Sequence, residues 1–374
     1  MRRKKYFKTI KGQKIPLPAF FPDATKAVVR TLDSLDLVNT KTLGILVNTY
    51  HLYKNINTKT LEKFAGIGGF MSWKGAIISD SGGFQVMTLA KRPGRKGKIF
   101  DEGVFFVDKN NQKTLFTPKD SIEYQMKLAT DMVVVLDDFT PPNAGRKAAQ
   151  ETVDRTVLWA KKSKEVFESY CQRFNIVKRP YLLGVVQGGD FKDLRKQCIE
   201  RLCEIGFDGL GFGGWAINAK GVLDLELSQF IADNTPKDYL LYGLGIGKPE
   251  DIVKLTKMGY QIFDCVLPTR DARHGRLYIY NSTSIDKISL SGNFYSYYKP
   301  DRIKYFQDKK PVSEACDCLL CKNYSRGYLA HLFRIKETTA LRLATIHNLR
   351  FYSLLIEKIR SKTDVKVQNR HRKP

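Results

Sequence analysis

The sequence contains no apolar run long enough to cross a membrane. None of its stretches approaches the ~20 consecutive apolar residues that a spanning helix needs. Residues 1–18 carry the positive charge of a signal peptide but have no apolar stretch behind it. Cysteine is scarce as well, and its total of seven is an odd number, which argues against a complete disulfide framework. We therefore expect a cytoplasmic protein with no membrane partner.

Acidic residues are few relative to basic ones. The chain has 63 lysines and arginines against 38 aspartates and glutamates, which gives a net charge of +25 at pH 7. This excess favours a polyanionic partner, because each phosphate that a protein cation neutralises releases condensed counterions. A lysine-rich solvated surface explains the composition equally well. Hydrophobic residues make up 43% and aromatic residues 11%, which indicates a globular rather than a disordered chain.

Apolar runs that end in Gly, Asp, Asn or Pro alternate with amphipathic stretches along most of the chain. The runs lie at residues 18–25, 42–52, 75–85, 131–142, 180–189, 206–215, 239–247 and 261–270. Near-continuous apolar strands indicate burial on both faces, as in a parallel sheet covered by helices. They predict an α/β fold, a (β/α)8 TIM barrel over residues 1–290, with a doubly wound sheet as the alternative.

The pattern changes in residues 291–374, where a polar and aromatic segment precedes clustered cysteines, a long helical segment and a basic tail. The cysteines are Cys316, Cys318 and Cys321, spaced C-x-C-x-x-C. Three thiolates and one imidazole complete a closed tetrahedral shell that suits structural Zn²⁺. His347 is the predicted fourth ligand, and His331 on the same segment is the alternative. We expect a zinc-binding helical subdomain packed on the barrel, with the chemistry elsewhere.

In a TIM barrel, side chains at the C-terminal ends of the strands face the active site. Polar residues or glycines occupy five of these predicted ends: Asp80, Asp137, Gln187, Gly213–Gly214 and Asp264. A carboxylate, an amide and bare glycine backbone together could read the donors and acceptors on the edge of a purine-like ring. Packing alone is a poor explanation for five such ends.

At two of these strand ends, two adjacent residues are both candidates for the site, and only one of each pair can enter it. Strand side chains alternate between faces, so only one of Asp137 and Asp138 can enter a given site. The same holds for Asp264 and Cys265, both of which are plausible nucleophiles. Cysteine often acts as a small buried hydrophobe, whereas a carboxylate is costly to bury at a strand end without a purpose. The residues therefore favour Asp264 for chemistry and Cys265 for packing.

Several motifs carry a resemblance to a known family. "DSGGFQV", "VVQGG", "GFDGLGFGG", "GIGKPEDI" and "FDCVLPTR" precede the C-x-C-x-x-C…His set, in this order. With "NTYHL" and "CKNYSRGYLAHL", they resemble the tRNA-guanine transglycosylases, the queuine tRNA-ribosyltransferases of bacterial type, from about residue 15 to 355. The resemblance implies a zinc-bearing barrel enzyme, a pentosyltransferase of queuosine biosynthesis. Such an enzyme exchanges guanine 34 of the tRNA anticodon for a 7-deazaguanine base through a covalent aspartyl-ribosyl intermediate.

The resemblance also implies roles for single positions. It makes Asp264 the nucleophile that attacks the ribose C1′, and Asp80 the general acid/base. The implied base-binding residues are Ser81, Phe84, Asp137, Gln187, Gly213 and Gly214, with Phe84 stacking on the base. The implied anticodon-loop contacts are Arg270 and Arg273, and the implied zinc ligands are Cys316, Cys318, Cys321 and His347. A homodimer is also implied, with Tyr324 and Tyr328 as candidate interface aromatics.

Three residues depart from the common bacterial pattern. Phe139 stands where many members have Cys, Trp215 where they have Leu, and Ala219 where an acidic residue is common. The incoming base is therefore open between preQ1, the default, and queuine. A non-catalytic RNA-binding partner subunit and a transglycosylase acting on DNA are further alternatives, and the presence of both implied catalytic carboxylates argues against the former. The basic loop 91–98 either meets phosphates or is simply solvated.

Overall fold

The computed structural model describes residues 3–90, 97–107, 111–216, 222–300 and 302–370. The strands are β1 (Tyr6–Lys8), β2 (Lys14–Pro16), β3 (Ala19–Pro22), β4 (Gly44–Asn48), β5 (Ala76–Asp80), β6 (Lys98–Ile99), β7 (Val104–Val107), β8 (Lys113–Phe116), β9 (Met132–Val134), β10 (Tyr181–Val186), β11 (Gly209–Phe212), β12 (Leu240–Gly243), β13 (Ile262–Cys265), β14 (Leu277–Tyr280) and β15 (Tyr295–Tyr298). The helices are α1 (Ser34–Asn39), α2 (Thr49–Asn55), α3 (Thr58–Lys63), α4 (Ile67–Phe70), α5 (Gly83–Ala90), α6 (Pro118–Leu128), α7 (Arg146–Arg173), α8 (Lys192–Ile205), α9 (Leu225–Asn234), α10 (Pro249–Met258), α11 (Leu267–Arg273), α12 (Leu319–Asn323), α13 (Arg326–Arg334) and α14 (Thr338–Arg370), with a 3-10 turn at Ile303–Tyr305. Across the described ranges, no helix combines the length and the apolar character needed to cross a membrane.

Eight strands form one parallel sheet in the order β3-β13-β12-β11-β10-β9-β5-β4. The two ends of this order also meet, because Asp23 pairs with Leu46 in a parallel bridge and the Ala24 N–H donates to the Leu46 carbonyl at 2.7 Å. The sheet is therefore closed, and helices alternate with its strands. The predicted (β/α)8 barrel is confirmed, and each predicted apolar run contains one barrel strand. The alternative of a doubly wound sheet is wrong, since an open sheet has two unpaired edges.

The interior of the barrel is apolar and closed at its N-terminal end. Its inward-facing side chains include Ala19, Phe21, Leu46, Ile78, Val134, Leu183 and Tyr242. The β1–β2 hairpin adds Phe7 and Ile15 to the same buried cluster. Asp131 ties the hairpin to the barrel, because its Oδ1 accepts from the Ile10 N–H and its Oδ2 from the Ile77 N–H, each at 2.8 Å. The end that a substrate can reach is therefore the C-terminal mouth.

A small antiparallel sheet, β6-β7-β8, is inserted between α5 and α6. Its Phe106 and Phe116 pack with Trp159 of α7 in a buried cluster that also contains Leu136, just after β9. Trp159 Nε1 donates to the carbonyl of Asp101 at 2.9 Å, which fixes the insertion on α7. The insertion thus supports the wall of the barrel mouth next to the end of β9.

The long C-terminal helix α14 lies against the barrel, in contact with α1, α10, α11 and β3. Tyr352 donates to the Gly247 carbonyl at 2.6 Å, and Arg342 donates to both carboxylate oxygens of Asp36 at 2.6 and 2.9 Å. Apolar side chains of α14 belong to the same buried cluster as those of the barrel helices. The helix therefore forms part of the outer layer of the barrel, and the domain boundary at residue 290 stays a prediction.

Candidate active site

Most of the predicted site residues meet at the C-terminal mouth of the barrel, around a cavity of about 340 Å³. The predicted residues that line it are Asp80, Ser81, Phe84, Asp137, Gly213, Gly214 and Asp264. Asp80 ends β5 and Asp264 lies near the end of β13, so parallel strand ends bring distant parts of the sequence to one place. The volume falls within the range of small-molecule sites.

Asp264 is held through one of its two carboxylate oxygens. Its Oδ1 accepts hydrogen bonds from the Tyr242 hydroxyl at 2.7 Å and from the Gly245 N–H at 2.8 Å. Its Oδ2 accepts none from the residues that the structure describes. Burial raises the pKa of Asp264 to about 6. At neutral pH this carboxyl is therefore mainly ionised, with a fixed orientation and one oxygen available to attack.

Asp80 is held through both carboxylate oxygens. Its Oδ1 accepts from the N–H groups of Thr49 and Gly82, each at 3.1 Å, and its Oδ2 accepts from Asn48 Nδ2 at 2.7 Å. Burial raises the pKa of Asp80 to about 7, and the negative charge of Asp264 acts in the same direction. A group that is half protonated near neutral pH can both donate and accept a proton. The two carboxyls thus differ in protonation because their surroundings differ.

Asp137 and Asp138 point to opposite sides of the chain, as alternation predicts. Asp137 lines the cavity, and its Oδ2 accepts from Gln187 Nε2 at 2.6 Å. Burial raises the pKa of Asp137 to about 6. Asp138 points instead towards α7, where Arg155 pairs with it at 2.5 Å. Gln187 is fully buried behind the cavity wall, and its Oε1 accepts from the Thr140 N–H at 3.2 Å.

Gly213 and Gly214 present bare backbone beside the Gln187 amide. A Cβ on Gly213 would lie 2.6 Å from Gln187 Nε2, so a side chain there would displace the amide. Gly214 has a φ of +78°, which L side chains rarely adopt. Ser81 is buried at the edge of the same cavity, where its hydroxyl accepts from the Gly83 N–H at 3.1 Å. The wall therefore offers peptide groups at short range to a flat ligand.

Three aromatic rings line one side of the mouth. The ring centroids of Phe84 and Phe139 are 5.4 Å apart, and those of Phe139 and Trp215 are 6.0 Å apart, both pairs in edge-on geometry. Phe84 is 50% exposed and Trp215 is 51% exposed, so their faces are available to stack on a ligand. Phe139 and Trp215, two of the three expected departures from the common bacterial pattern, therefore line the cavity itself. Ala219, the third departure, lies outside the described residues.

Cys265 faces away from the cavity, as the sequence favours. It packs against the outer apolar cluster, and a Cβ on Gly247 would lie 2.2 Å from its own Cβ. Burial raises the pKa of the Cys265 thiol to about 12. The thiolate is the reactive form of cysteine, so a thiol that stays protonated at neutral pH is a poor nucleophile. The geometry leaves Asp264 as the better candidate.

Arg270 and Arg273 lie on α11, directly after β13. Arg270 is exposed, whereas Arg273 is half-buried. Nη1 of Arg273 is buried and meets no hydrogen-bond acceptor in the described ranges. Burial lowers the pKa of Arg273, and the positive charge of Arg30 acts in the same direction. This accumulation of positive charge beside the cavity suits a phosphate group. Most of the other predicted phosphate contact, the loop 91–98, lies outside the described residues.

A separate cluster of metal-ligand type forms in the C-terminal region. Its members are Cys316, Cys318, Cys321 and His347, and their ligand atoms all lie within 4.8 Å of one another. His347 Nδ1 is 3.3 Å from Cys321 Sγ and 3.6 Å from Cys318 Sγ. The other ring nitrogen, Nε2, lies 2.8 Å from the Tyr278 carbonyl, which orients Nδ1 towards the sulfurs. The alternative ligand His331 is not part of the cluster.

Known proteins match this chain along almost its whole length. The sequence profile described as queuine tRNA-ribosyltransferase matches residues 2–365. The chain belongs to the queuine tRNA-ribosyltransferase family. A relative of that name from Caldanaerobacter subterraneus subsp. tengcongensis is 39% identical over 347 residues, which cover 92% of this chain and 86% of the relative. Relatives from Actinobacillus pleuropneumoniae serotype 5b and Halothermothrix orenii are each 36% identical over 92% of this chain, and over 85% and 86% of their own lengths. The predicted family is confirmed.

In this queuine tRNA-ribosyltransferase family member, the residues that hold the two candidate catalytic carboxyls do not stand out in the sequence. Tyr242 and Gly245 hold Asp264, and Asn48 and Thr49 hold Asp80. Each of the four sits at or just beyond a strand end, next to the strand of the carboxyl that it contacts. Strand adjacency in the barrel is therefore the signal that could have found them.

Proposed function

We propose that this protein is a tRNA-guanine transglycosylase that exchanges guanine 34 of the anticodon for a 7-deazaguanine base. We propose preQ1 as the incoming base, with queuine as the alternative. The observation that carries the proposal is the pairing of Asp264 and Asp80 in one cavity, with pKa values of about 6 and about 7. The name of the relatives, queuine tRNA-ribosyltransferase, supports the same class of reaction and substrate.

In the first displacement, Oδ2 of Asp264 attacks C1′ of the ribose of nucleotide 34. A bond forms between Oδ2 and C1′ while the bond from C1′ to the base nitrogen breaks, and its electron pair leaves with guanine. Asp80 donates a proton to the departing base, which therefore leaves neutral. Tyr242 and Gly245 hold Oδ1, so Oδ2 already faces the sugar and little entropy is lost in orienting the carboxylate for attack.

In the second displacement, the incoming base occupies the same cavity. Asp80, now ionised, accepts the proton from the attacking ring nitrogen of that base. The nitrogen attacks C1′, the bond from C1′ to Oδ2 breaks, and Asp264 regains its ionised form. Two displacements at one carbon retain its configuration, and the departure of guanine before entry of the second base gives a ping-pong order.

The cavity wall supplies recognition of the base. Asp137 offers a carboxylate that the buried Gln187 amide orients from behind the wall, and Ser81 and the backbone of Gly213 and Gly214 add further donors and acceptors. Phe84 stacks on the face of the base with its exposed ring. A base reaches such a cavity only after leaving its stack, which is easier in a single-stranded loop than in a duplex. Arg270 and Arg273 bind anticodon-loop phosphates beside the mouth.

The cysteine and histidine cluster holds one Zn²⁺ in this proposal. Three thiolates and the His347 imidazole would supply a complete set of four protein ligands for Zn²⁺, so the ion would have a structural role. Its residues belong to the segment before α12, to α12 and to α14. The ion would therefore fix the start of α12 onto the long helix that covers the barrel.

We also propose a homodimer, with the stacked pair Tyr324 and Tyr328 at its interface. Their ring centroids are 5.3 Å apart, and the residues are 38% and 43% exposed. Aromatic side chains at this exposure are common anchors of protein interfaces. The cytoplasmic location expected from the sequence stays a prediction.

The function is tested by incubating the protein with tRNA labelled at guanine 34 and with preQ1, preQ0 or queuine separately. We expect release of label, fastest with preQ1, and no release by Asp264→Ala. Cys265→Ser is the matched control at the neighbouring residue and is expected to release label. A wild-type protein that binds tRNA but releases no label with any base would contradict the proposal and favour a non-catalytic partner subunit.

A further inference from the structure

Arg195 is an almost completely buried arginine with no carboxylate partner among the described residues. It lies in the first turn of α8, where it is 1% exposed. Its guanidinium stacks over the Phe212 ring at 5.0 Å, and burial lowers its pKa to about 10. Arg350, which is equally buried in the C-terminal region, instead donates to two carboxylates, those of Asp317 and Glu357. A buried cation held only by neutral groups is costly and calls for a reason.

The hydrogen bonds of Arg195 all end on the backbone of two loops. Nε donates to the Gly189 carbonyl at 2.9 Å, and Nη1 donates to the carbonyls of Val186 at 2.6 Å and Gly213 at 2.8 Å. Val186 is the last residue of β10, Gly189 lies in the loop that follows it, with Gln187 between the two, and Gly213 directly follows β11. The guanidinium is thus a rigid fork that joins the two strand ends on which the candidate base-binding residues lie.

Arg195 also lies directly behind the wall of the cavity. A Cβ on Gly214 would lie 3.3 Å from its Nη2 and 3.3 Å from Gln187 Oε1. On the other side of the fork, a Cβ on Gly188 would lie 2.8 Å from the Arg195 backbone nitrogen. The two loops and the guanidinium are therefore packed without spare room, so the position of the fork sets the position of the Gly214 peptide and of the Gln187 amide.

We propose that Arg195 is a positioning residue for base binding, which acts through the Gly213–Gly214 backbone and the Gln187 amide rather than by touching the ribose or the reacting atoms. This inference rests on the proposed function, because it concerns the same base-binding wall. A lysine replaces the arginine only in part, since one ammonium group keeps the charge but cannot reproduce the planar fork that meets three carbonyls. The residue therefore affects affinity for the base more than affinity for tRNA.

The test compares guanine binding and base exchange in wild type, Arg195→Met and Arg195→Lys. For Arg195→Met we expect the Kd for guanine, by calorimetry, and the KM for preQ1 to rise by about tenfold or more, since hydrogen bonds to a charged group are lost. For Arg195→Lys we expect a smaller rise, about threefold. The Kd for an anticodon stem-loop should stay within about twofold of wild type, because the fork does not face the RNA.

The matched control is Arg350→Met, which removes a similarly buried guanidinium whose carboxylate partners, Asp317 and Glu357, do not line the cavity. We expect it to lower Tm while it leaves the Kd for guanine unchanged. A Kd for guanine within about twofold of wild type in folded Arg195→Met would overturn the inference. If Arg195→Met does not fold, the same Kd in Arg195→Lys would overturn it. An equal loss of guanine binding in Arg350→Met would also overturn it. Wild type that neither binds guanine nor exchanges it contradicts the proposed function itself, which separates the two failures.

Discussion

Asp264 and Asp80 lie in one cavity but hold their protons with different strength because their contacts differ. Two donors on a single oxygen favour the ionised form of Asp264, and its pKa is raised by burial only to about 6. Asp80 is buried next to that charge, and its pKa is raised to about 7 despite three donors. In the free protein the favoured state at neutral pH is thus an ionised nucleophile beside a carboxyl that still carries part of its proton.

The pH dependence of kcat/KM for tRNA follows from these two groups. Below about pH 6 Asp264 gains a proton and loses its nucleophilic oxygen, and above about pH 7 Asp80 loses the proton that it must donate. We therefore expect a bell-shaped profile with its maximum between these values, measured by release of labelled guanine from pH 5 to 9. The profile of kcat/KM reports the free enzyme, which is the state described by the structure.

A control separates Asp264 from Asp137, whose pKa is also raised to about 6 by burial. Asp137→Asn should weaken binding of the base but keep the fall in rate on the acid side, because Asp264 is unchanged. A profile that stays flat from pH 5 to 9, or an acid limb that disappears in Asp137→Asn, would count against the assigned roles.

At the scale of single elements, the cysteine and histidine cluster joins a loop, the short helix α12 and the long helix α14. A second contact joins the same segment to α14. Asp317, which lies between Cys316 and Cys318, accepts hydrogen bonds from Arg350 of α14 at 2.5 and 3.2 Å. In the proposed function, an ion held by this cluster and the Arg350–Asp317 pair would thus act on the same junction. Loss of the ion should loosen α12 from α14 while the barrel strands stay paired.

Removal of the metal tests this junction. We expect about one zinc per chain by elemental analysis. Cys318→Ser should lose the zinc and lower Tm by roughly 5 °C or more, because a ligand of a folded site is lost. Cys171→Ser, at a partly exposed cysteine of α7, should keep both zinc and Tm. Full zinc content and unchanged Tm in Cys318→Ser would rule out the cluster as the metal site.

Strands and strand-end residues are the part of this fold that the sequence predicts well. Barrel strands are buried on both faces, so each appears as an apolar run, and Asp80, Asp137 and Asp264 stand out because a carboxylate ends such a run. Partners such as Tyr242 and Arg195 do not stand out. A buried tyrosine within an apolar strand has the pattern of packing, and a buried arginine in an amphipathic helix has the pattern of an exposed one. Their roles depend on tertiary contacts, which the spacing of apolar residues along a strand or a helix does not reveal.

At the scale of the whole molecule, the proposed homodimer concerns the exposed pair Tyr324 and Tyr328 beside the cysteine cluster. We expect the wild type to have the mass of a dimer by light scattering at micromolar concentration. The double variant Tyr324→Ala and Tyr328→Ala should shift towards monomer, because it removes the two proposed aromatic anchors of the interface. Phe174→Ala, which truncates an aromatic that is 53% exposed at the end of α7, should leave the mass unchanged. A double variant with the mass of the wild type would place the interface elsewhere.

The whole molecule carries a net charge of +25. Arg270 is exposed and Arg273 is half-buried on α11, directly after the strand that carries Asp264, and the overall excess of positive charge attracts polyanions in general. In the proposed function the excess of positive charge favours RNA as the partner, and these two arginines contact it near the candidate nucleophile.

The proposed function depends on a covalent bond between Asp264 and the ribose of nucleotide 34. It is tested most directly by mixing the protein with labelled tRNA in the absence of an incoming base and separating the products on a denaturing gel. Wild type and Cys265→Ser should form a tRNA–protein complex that survives denaturation, and preQ1 should discharge it. Asp264→Asn should bind the tRNA under native conditions but form no such complex. A denaturation-resistant complex in Asp264→Asn, or its absence in a wild type that exchanges guanine, would contradict the account.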